Sequence, residues 1–278
     1  MTLACTGWDC HGHVFGPYAR FALAQDRSYT PPEAPLAHYL AQLARQGLSH
    51  GVLVHPSAHG DDYAALLDAL AAAPTLRGVI VARAAGLPGG HSLHGLRALG
   101  VRALRFSHRS ATAGGPAVNF AGSASFHDLL AWAPQLAAAG LHAELWTDCA
   151  ALPAIAPALQ RLPLPVVIDH MGGFDARAGV DQPGFQCLLR LATQGPAWVK
   201  LCAYRNLLAE PDIEVGAPFH QALLQAAPQR LLWGSDWPHL RVQPVPDATR
   251  LLAQCRRWTG DAALLQRILV DNPLALYA

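Results

Sequence analysis

The chain has 278 residues, of which 52% are hydrophobic and 14% are charged, and its formal net charge is +1. This balance predicts a folded chain with a large core and excludes intrinsic disorder. Because lysine and arginine form no run, neither nucleic acid nor an anionic membrane surface is expected as a partner.

The compartment is predicted from what the sequence lacks. No apolar stretch reaches the roughly 18 residues that a membrane span needs. The opening residues MTLACTGWDC contain no basic region followed by an apolar segment, so no signal peptide is expected. The six cysteines form no CxxC pair, which favours reduced thiols, although the count alone leaves a disulfide open. We therefore expect a cytoplasmic protein, and the sequence predicts no oligomeric state.

Eight short apolar runs alternate with longer segments of helical periodicity. The runs occupy residues 7–15, 51–57, 78–84, 101–107, 141–148, 165–172, 198–205 and 231–239. Helical spacing of apolar residues covers 36–47, 63–73, 126–140, 185–194 and 217–227, and several of these segments stop at glycine. Near-continuous apolar strands are typical of a parallel sheet that helices cover.

Eight units of strand followed by helix predict an α/β fold, a (β/α)8 TIM barrel in one domain over residues 1–278. A doubly wound open sheet is the competing topology. Such a sheet more often has a Gly-rich phosphate loop after its first strand, where this chain has His11-Gly12-His13. The Gly114-Gly115 pair after the fourth run is consistent with a hinge or with an ordinary turn.

Polar residues follow the predicted strands at their carboxyl ends, where a barrel places its active site. His11 and His13 point to the same side of the first strand because side chains alternate along it. His170 ends the sixth strand, and Asp236 ends the eighth, which neighbours the first after closure. Imidazoles can bind a divalent metal or polarise a carbonyl, and a carboxylate can take a proton from water or bind the metal.

The surrounding residues limit the number of metals. Binuclear sites in this architecture use a bridging lysine or acid near the end of strand four and a histidine at the end of strand five. This chain has Arg105 and Trp146 in those regions, so at most one metal is expected. His55 and His59 are equally consistent with a site wall and with the surface, and Lys200 in mid-strand receives no role.

Seven motifs together carry a family resemblance. They are DCHGHVFGP at 9–17, RSYTP at 27–31, VHPSAHG at 54–60, VRALRF at 101–106, VVIDHMGGFD at 166–175, LLWGSDWPH at 231–239 and ILVDNPLALY at 268–277. In this order, over almost the whole chain, they resemble the 2-pyrone-4,6-dicarboxylate lactonases of the amidohydrolase superfamily. Sugar-lactone and muconolactone hydrolases share much of the same frame.

The resemblance implies a distorted barrel and hydrolysis of a lactone ring to an open-chain acid. It implies that Asp236 is the general base and that His11, His13 and His170 polarise the lactone carbonyl. The positions that match those holding the substrate carboxylates are Tyr29, Ser57, Arg105, Arg109 and Arg205. Trp146 stands at a position where the family has a tyrosine, which removes a hydroxyl donor toward the substrate.

The resemblance also bears on cofactors. The pyrone lactonases work without a divalent metal, so none is required, whereas relatives bind zinc. One zinc ion on His11, His13, His170 and Asp236 is therefore the alternative.

Several alternatives stay open at this point. One is a zinc-dependent sugar-lactone or muconolactone hydrolase or a decarboxylase of the same superfamily, and another is a non-enzymatic binder of small carboxylic acids. The arginines at the mouth favour an anionic ligand, because a guanidinium binds a planar carboxylate through two hydrogen bonds. Their alternative partners are protein carboxylates, namely Asp148, Asp175 and Glu210.

Overall fold

The computed structural model describes residues 5–110, 117–118 and 122–278. Eight parallel strands pair in chain order around a barrel. They are β1 (Trp8–Gly12), β2 (His50–Val54), β3 (Leu76–Val81), β4 (Val101–Ser110), β5 (His142–Thr147), β6 (Val166–Ile168), β7 (Ala197–Leu201) and β8 (Leu231–Trp233). A two-residue strand, Ala117–Val118, pairs antiparallel with the end of β4. The predicted barrel is confirmed, and the Gly114-Gly115 pair lies outside the described residues.

The barrel closes through the segment that follows β8. The backbone N–H of Asp236 donates to the carbonyl of His11 at 2.8 Å, and that of His13 donates to the carbonyl of Trp237 at 2.8 Å. Below them, the Asp9 carboxylate accepts from the backbone N–H of Ser235 at 2.8 Å. These bonds join the first strand to the last and bring the HGH segment beside Asp236.

Helices cover the outside of the barrel. The α-helices are Leu36–Gln46, Ala64–Ala72, Leu93–Ala98, Phe126–Ala139, Leu152–Leu159, Pro183–Gln194, Ala217–Ala226, Ala248–Thr259, Ala262–Gln266 and Asn272–Tyr277. The longest begins with a capping box between Ser125 and Asp128 and ends at Gly140, whose φ of 65° is left-handed. Within the described residues, no helix combines the length and the apolar character needed to cross a bilayer.

The predicted strands at 165–172 and 231–239 are much longer than the observed β6 and β8. In both cases the residues that follow the observed strand form part of the site. β6 ends at Ile168, and a tight turn over Asp169–Gly172 follows, in which His170 has a φ of 51°. After β8, Asp236 has a φ of 60°. Non-glycine residues adopt this region rarely, and the surrounding hydrogen bonds hold them there. Apolar periodicity cannot reveal where such a chain leaves the sheet.

Candidate active site

A cavity of about 220 Å³ opens at the carboxyl ends of the strands. The predicted site residues that line it are His13, Tyr29, Ser57, Arg105, Trp146, His170, Arg205 and Asp236. His11 lies directly below, with its Nε2 3.7 Å from Asp236 Oδ1. Arg109 does not line this cavity. It lines a neighbouring cleft together with Asp148.

Asp236 is the carboxylate at the floor of the cavity, and only 1% of the residue is exposed. Its Oδ2 accepts hydrogen bonds from the Arg205 guanidinium and, at 2.7 Å, from the Tyr204 hydroxyl. Burial alone raises the pKa of Asp236. The charge of Arg205 and the hydrogen bond from His13 outweigh burial and hold that pKa well below the ordinary value. The carboxylate is therefore charged at neutral pH.

His13 reaches Asp236 from the end of β1. Its Nδ1 lies 2.7 Å from the carbonyl oxygen of Val54, and its Nε2 lies 3.3 Å from Asp236 Oδ1. A carbonyl only accepts, so Nδ1 carries a proton. Nε2 is therefore the nitrogen of His13 that faces Asp236.

His11 is fully buried two residues earlier on the same strand face. Its ring centroid lies 5.1 Å from that of His13. The glycine between the two histidines is required sterically, because a Cβ on Gly12 would lie 2.5 Å from Cε2 of Tyr39. Burial is the main cause that lowers the pKa of His11 well below its ordinary value, so its ring is neutral.

His170 completes the group from the opposite side of the barrel. Its ring centroid lies 5.0 Å from that of His11. The left-handed turn is supported by Asn206, whose Nδ2 donates to the His170 carbonyl at 2.9 Å. Burial lowers the pKa of His170 to about 4, so this imidazole is neutral at pH 7 as well.

Beneath the histidines lies a fully buried ionic cluster that the sequence did not predict. The Lys200 ammonium lies 2.6 Å from Glu144 Oε2 and 3.2 Å from Asp169 Oδ1. Burial alone lowers the pKa of Lys200, but the charges of Asp169 and Glu144 outweigh it and raise that pKa. Arg105 extends the cluster upward, because its Nε donates to Asp169 Oδ2 at 2.9 Å.

The mouth of the cavity carries guanidinium groups. Arg105 and Arg205 each use part of their donors on a protein carboxylate, Asp169 and Asp236 respectively. A guanidinium has five N–H donors, so both keep further donors for a ligand. Arg241, which the sequence did not predict, also lines the mouth. Its guanidinium carbon lies 5.6 Å from the ring centroid of Tyr29, and no ion pair involves it among the described residues.

Trp146 separates two of the predicted arginines. The guanidinium carbons of Arg105 and Arg109 lie 5.5 Å and 4.7 Å from its ring centroid. Arg109 also contacts Asp148, at 3.7 Å between Nε and Oδ2, as the alternative protein pairing anticipated. The other two carboxylates of that alternative bind elsewhere, since Glu210 pairs with Arg177 and Asp175 caps the backbone of Arg177. Substrate binding by Arg109 stays a prediction.

Two further histidines do not line the cavity. His55 is buried, and its Nε2 lies 2.9 Å from the carbonyl oxygen of Gly60. The Nδ1 atom of His59 lies 3.2 Å from the carbonyl oxygen of Ala22. Both rings therefore bind loop backbone.

Three of the central residues have the positions that one divalent ion needs. His11, His170 and Asp236 each offer a ligand atom, and these atoms lie within 4.8 Å of one another. The Nε2 of His11 and the Nδ1 of His170 are buried and have no hydrogen-bond partner among the described residues. Two imidazoles and a carboxylate suit zinc with an open coordination position. His13, predicted as a fourth ligand, is not part of this group.

A second group consists of His11, Glu144 and Asp169. The Lys200 ammonium lies within hydrogen-bonding or ion-pairing distance of all three, 3.1 Å from His11 Nδ1. Its positive charge occupies the place that a second metal would take. The expectation of at most one metal stays a prediction.

Comparison with known proteins places the chain in a family. The sequence model of the family described as Amidohydrolase matches residues 8–278. The chain belongs to the amidohydrolase family. The predicted resemblance is thereby confirmed at the level of the superfamily.

The curated relatives of this amidohydrolase include lactone hydrolases. A 4-sulfomuconolactone hydrolase from Rhizobium radiobacter is 36% identical over 97% of the chain and 89% of its own length. A 2-pyrone-4,6-dicarboxylate hydrolase from Comamonas testosteroni is 31% identical over the same shares, 97% and 89%. The predicted similarity to lactonases is therefore confirmed.

Solved structures agree with the fold. A structure from Pseudomonas putida, provisionally named a 2-pyrone-4,6-dicarboxylic acid hydrolase, has a TM-score of 0.80 and 35% identity, covering 99% of this amidohydrolase and 98% of that chain. A zinc-containing amidohydrolase from Burkholderia multivorans has a TM-score of 0.69 at 17% identity over 98% of both chains, which shows the shared fold alone.

Proposed function

We propose that this amidohydrolase opens the ring of a small lactone that carries two negative charges. The candidates are 2-pyrone-4,6-dicarboxylate and a sulfonated muconolactone, on which the two curated relatives act by name. The observation that carries the proposal is a charged carboxylate, Asp236, surrounded by imidazoles at the floor of a cavity with arginines at its mouth. A binder of carboxylic acids needs no such carboxylate, because it would repel the ligand.

The proposed reaction begins with water bound beside Asp236 Oδ1, the oxygen that faces the imidazoles of His11 and His13. Asp236 takes one proton from the water, and the resulting hydroxyl oxygen forms a bond to the lactone carbonyl carbon. The carbonyl oxygen becomes an oxyanion, which the imidazole N–H groups stabilise, and one such donor is worth on the order of 3 kcal/mol in a dry site. The oxyanion then re-forms the carbonyl as the ring C–O bond breaks, and the departing ring oxygen takes the proton from Asp236, which returns to its charged form.

Arg205 plays two roles in this reaction. Its contact with Asp236 keeps the carboxylate charged but also makes it a weak base, because the pKa of Asp236 is held low. A substrate anion that binds Arg205 shares its positive charge and relieves this effect. The carboxylate is therefore a stronger base when the substrate is in place than in the free enzyme.

We infer that no metal is required, since the floor already holds one fixed cation, Lys200, and two neutral imidazoles, those of His11 and His170. A single divalent ion would be held by His11, His170 and Asp236, and it would supply Lewis-acid polarisation of the carbonyl. A zinc-dependent muconolactone hydrolase is therefore the second candidate, favoured by the position of those three ligand atoms.

The proposal is tested by steady-state assays of the purified enzyme with 2-pyrone-4,6-dicarboxylate, 4-sulfomuconolactone and an uncharged sugar lactone. We expect turnover of at least one dianionic lactone, little of the uncharged one, and full activity after treatment with a chelator. Activity on none of the dianionic lactones would contradict the proposal. Loss of activity on chelation, restored by one equivalent of zinc, would favour the second candidate.

A further inference from the structure

Lys200 contacts His11, and the proposed reaction gives this contact no role. We propose that Lys200 is a positioning residue that keeps the proton of His11 on Nε2, so that His11 faces the substrate as a hydrogen-bond donor and not as a metal ligand. The catalytic use of that donor rests on the proposed function. The position of the proton does not.

The contact between Lys200 and His11 joins a donor to a ring nitrogen. Lys200 Nζ lies 3.1 Å from His11 Nδ1, and both side chains are fully buried. An ammonium group has three donors and no acceptor, so His11 Nδ1 must accept. A neutral imidazole carries one proton, which is then on Nε2.

One acceptor competes for His11 Nδ1. The Oδ1 atom of Asp169 lies 3.4 Å from the same nitrogen. It is farther away than the lysine, and it has no partner in hydrogen-bonding geometry among the described residues. While the ammonium is present, Asp169 is held as its counter-ion at 3.2 Å, and Nδ1 is the acceptor.

The two histidines of the HGH segment differ in what their Nδ1 atoms face. The Nδ1 of His13 faces the Val54 carbonyl at 2.7 Å, which is an acceptor, so this nitrogen carries a proton. The Nδ1 of His11 faces an ammonium, which is a donor, so this nitrogen carries none. Two imidazoles on one strand face, two residues apart, therefore have opposite protonation at Nδ1.

The Nε2 atom of His11 lies on the side of the ring that faces Asp236. This atom is buried, has no hydrogen-bond partner among the described residues, and lies 3.7 Å from Asp236 Oδ1. An N–H beside the water-activating carboxylate is placed for the oxygen on which negative charge develops. To bind a metal, the same nitrogen must present its lone pair, and its partner at Nδ1 is normally an acceptor that orients the ring. Lys200 places a donor at Nδ1, which is the opposite of what a metal-binding histidine needs.

The direct test is long-range proton–nitrogen NMR of the wild-type enzyme with ¹⁵N-labelled histidine. Signals of His11 are assigned by their absence in His11→Gln, and His13 serves as the internal reference for a ring with a protonated Nδ1. We expect an unprotonated Nδ1 and a protonated Nε2 in His11. A His11 ring with its proton on Nδ1 would overturn the proposal, whichever lactone is the substrate.

Lys200→Met tests whether Lys200 determines the position of the His11 proton, because methionine has a similar length and no hydrogen-bond donor. We expect the His11 proton to move to Nδ1, where Asp169 accepts it, and zinc bound per chain, measured by elemental analysis after dialysis, to rise. We also expect kcat to fall by about 100-fold with KM nearly unchanged, as for loss of one oxyanion donor. Lys200→Arg, which keeps a cationic donor, is expected to retain the wild-type tautomer.

The double variant Lys200→Met/Glu144→Gln removes one charge of each sign and so leaves no unpaired Glu144 carboxylate. It replaces the single variant in this test if the single variant does not fold. An unchanged His11 tautomer in either variant would show that Lys200 does not control it. A moved proton with undiminished lactone turnover would contradict the catalytic use of Nε2–H, and the NMR result would stand separately from the proposed function.

Discussion

The floor and the mouth of the cavity use their charges differently. At the floor, Lys200 and Glu144 are both 0% exposed and satisfy each other at 2.6 Å. At the mouth, the Arg205 side chain is 26% exposed and Arg241 has no ionic partner among the described residues. Buried charges must be compensated by the protein, whereas charges at an opening can remain available to a ligand.

This difference predicts which kinetic constant each region controls. The protein alone determines the protonation and the direction of the floor groups, so changes there are expected to alter kcat. The mouth groups complete their contacts only when an anion binds, so changes there are expected to alter KM and the choice of substrate. Four variants, in order of expected effect, test this division.

The largest effect is expected for Asp236→Asn at the floor. An amide cannot take the proton of water, so kcat should fall by about 10³-fold while KM changes little. Steady-state kinetics on the accepted lactone measure both constants. Asp61→Asn is the matched control, because Asp61 is exposed and pairs with Arg83 at 3.1 Å on the surface. An unchanged kcat in Asp236→Asn would show that Asp236 is not the general base.

The next largest effect is expected for Arg205→Met, because Arg205 lines the mouth and also contacts Asp236 at the floor. We expect kcat/KM at pH 7 to fall by about 100-fold through loss of an anion clamp and misplacement of Asp236. In the wild-type enzyme Arg205 holds the pKa of Asp236 low, and the charged form of Asp236 is present at pH values above that pKa. Removing Arg205 raises that pKa, so the acid limb of the kcat/KM profile should move to higher pH.

The pH profiles of wild type and Arg205→Met, measured side by side, check this shift. His170, with its pKa lowered to about 4, is neutral in both at pH 7 and should add no inflexion near neutral pH. An acid limb that stays in place would mean that Arg205 does not control the charge of Asp236.

Arg241→Met is expected to act at the mouth alone. Loss of a charge-assisted hydrogen bond to the substrate should raise KM by about 10-fold and leave kcat within a factor of two. The effect should be seen with dianionic lactones and disappear with an uncharged one. Arg177→Met, at an exposed pair with Glu210, is the control. A fall in kcat without a change in KM would contradict the division between the two regions.

Trp146→Tyr is expected to have the smallest effect. Tyrosine is a weaker partner for the guanidinium groups of Arg105 and Arg109, worth about threefold in KM, but it adds a hydroxyl toward the cavity. We expect the ratio of kcat/KM between 2-pyrone-4,6-dicarboxylate and 4-sulfomuconolactone to change in favour of the former. Competition assays with both lactones measure this ratio, and an unchanged ratio would exclude residue 146 as a determinant of substrate choice.

Much of the frame was predictable, because burial imposes a pattern on the residues themselves. Strands covered on both faces need continuous apolar runs, so the order of the barrel strands follows from the sequence. His11, His13, His170 and Asp236 were also predictable, since polar residues directly after such runs reach the mouth of a parallel barrel. Of the arginines predicted to bind the substrate, Arg105 and Arg205 line the cavity and Arg109 lies beside it, and their binding of an anion stays a prediction.

The barrel and the four central residues thus follow from local patterns in the sequence. What those residues face depends on contacts between distant parts of the chain. Lys200 is 56 residues from Glu144 and 189 from His11 along the chain, and nothing local predicts their contact. Arg241 reaches the mouth through a left-handed φ of 61° that periodicity does not report. The proton of an imidazole is placed by its neighbours in space, and those are known only once the barrel has closed.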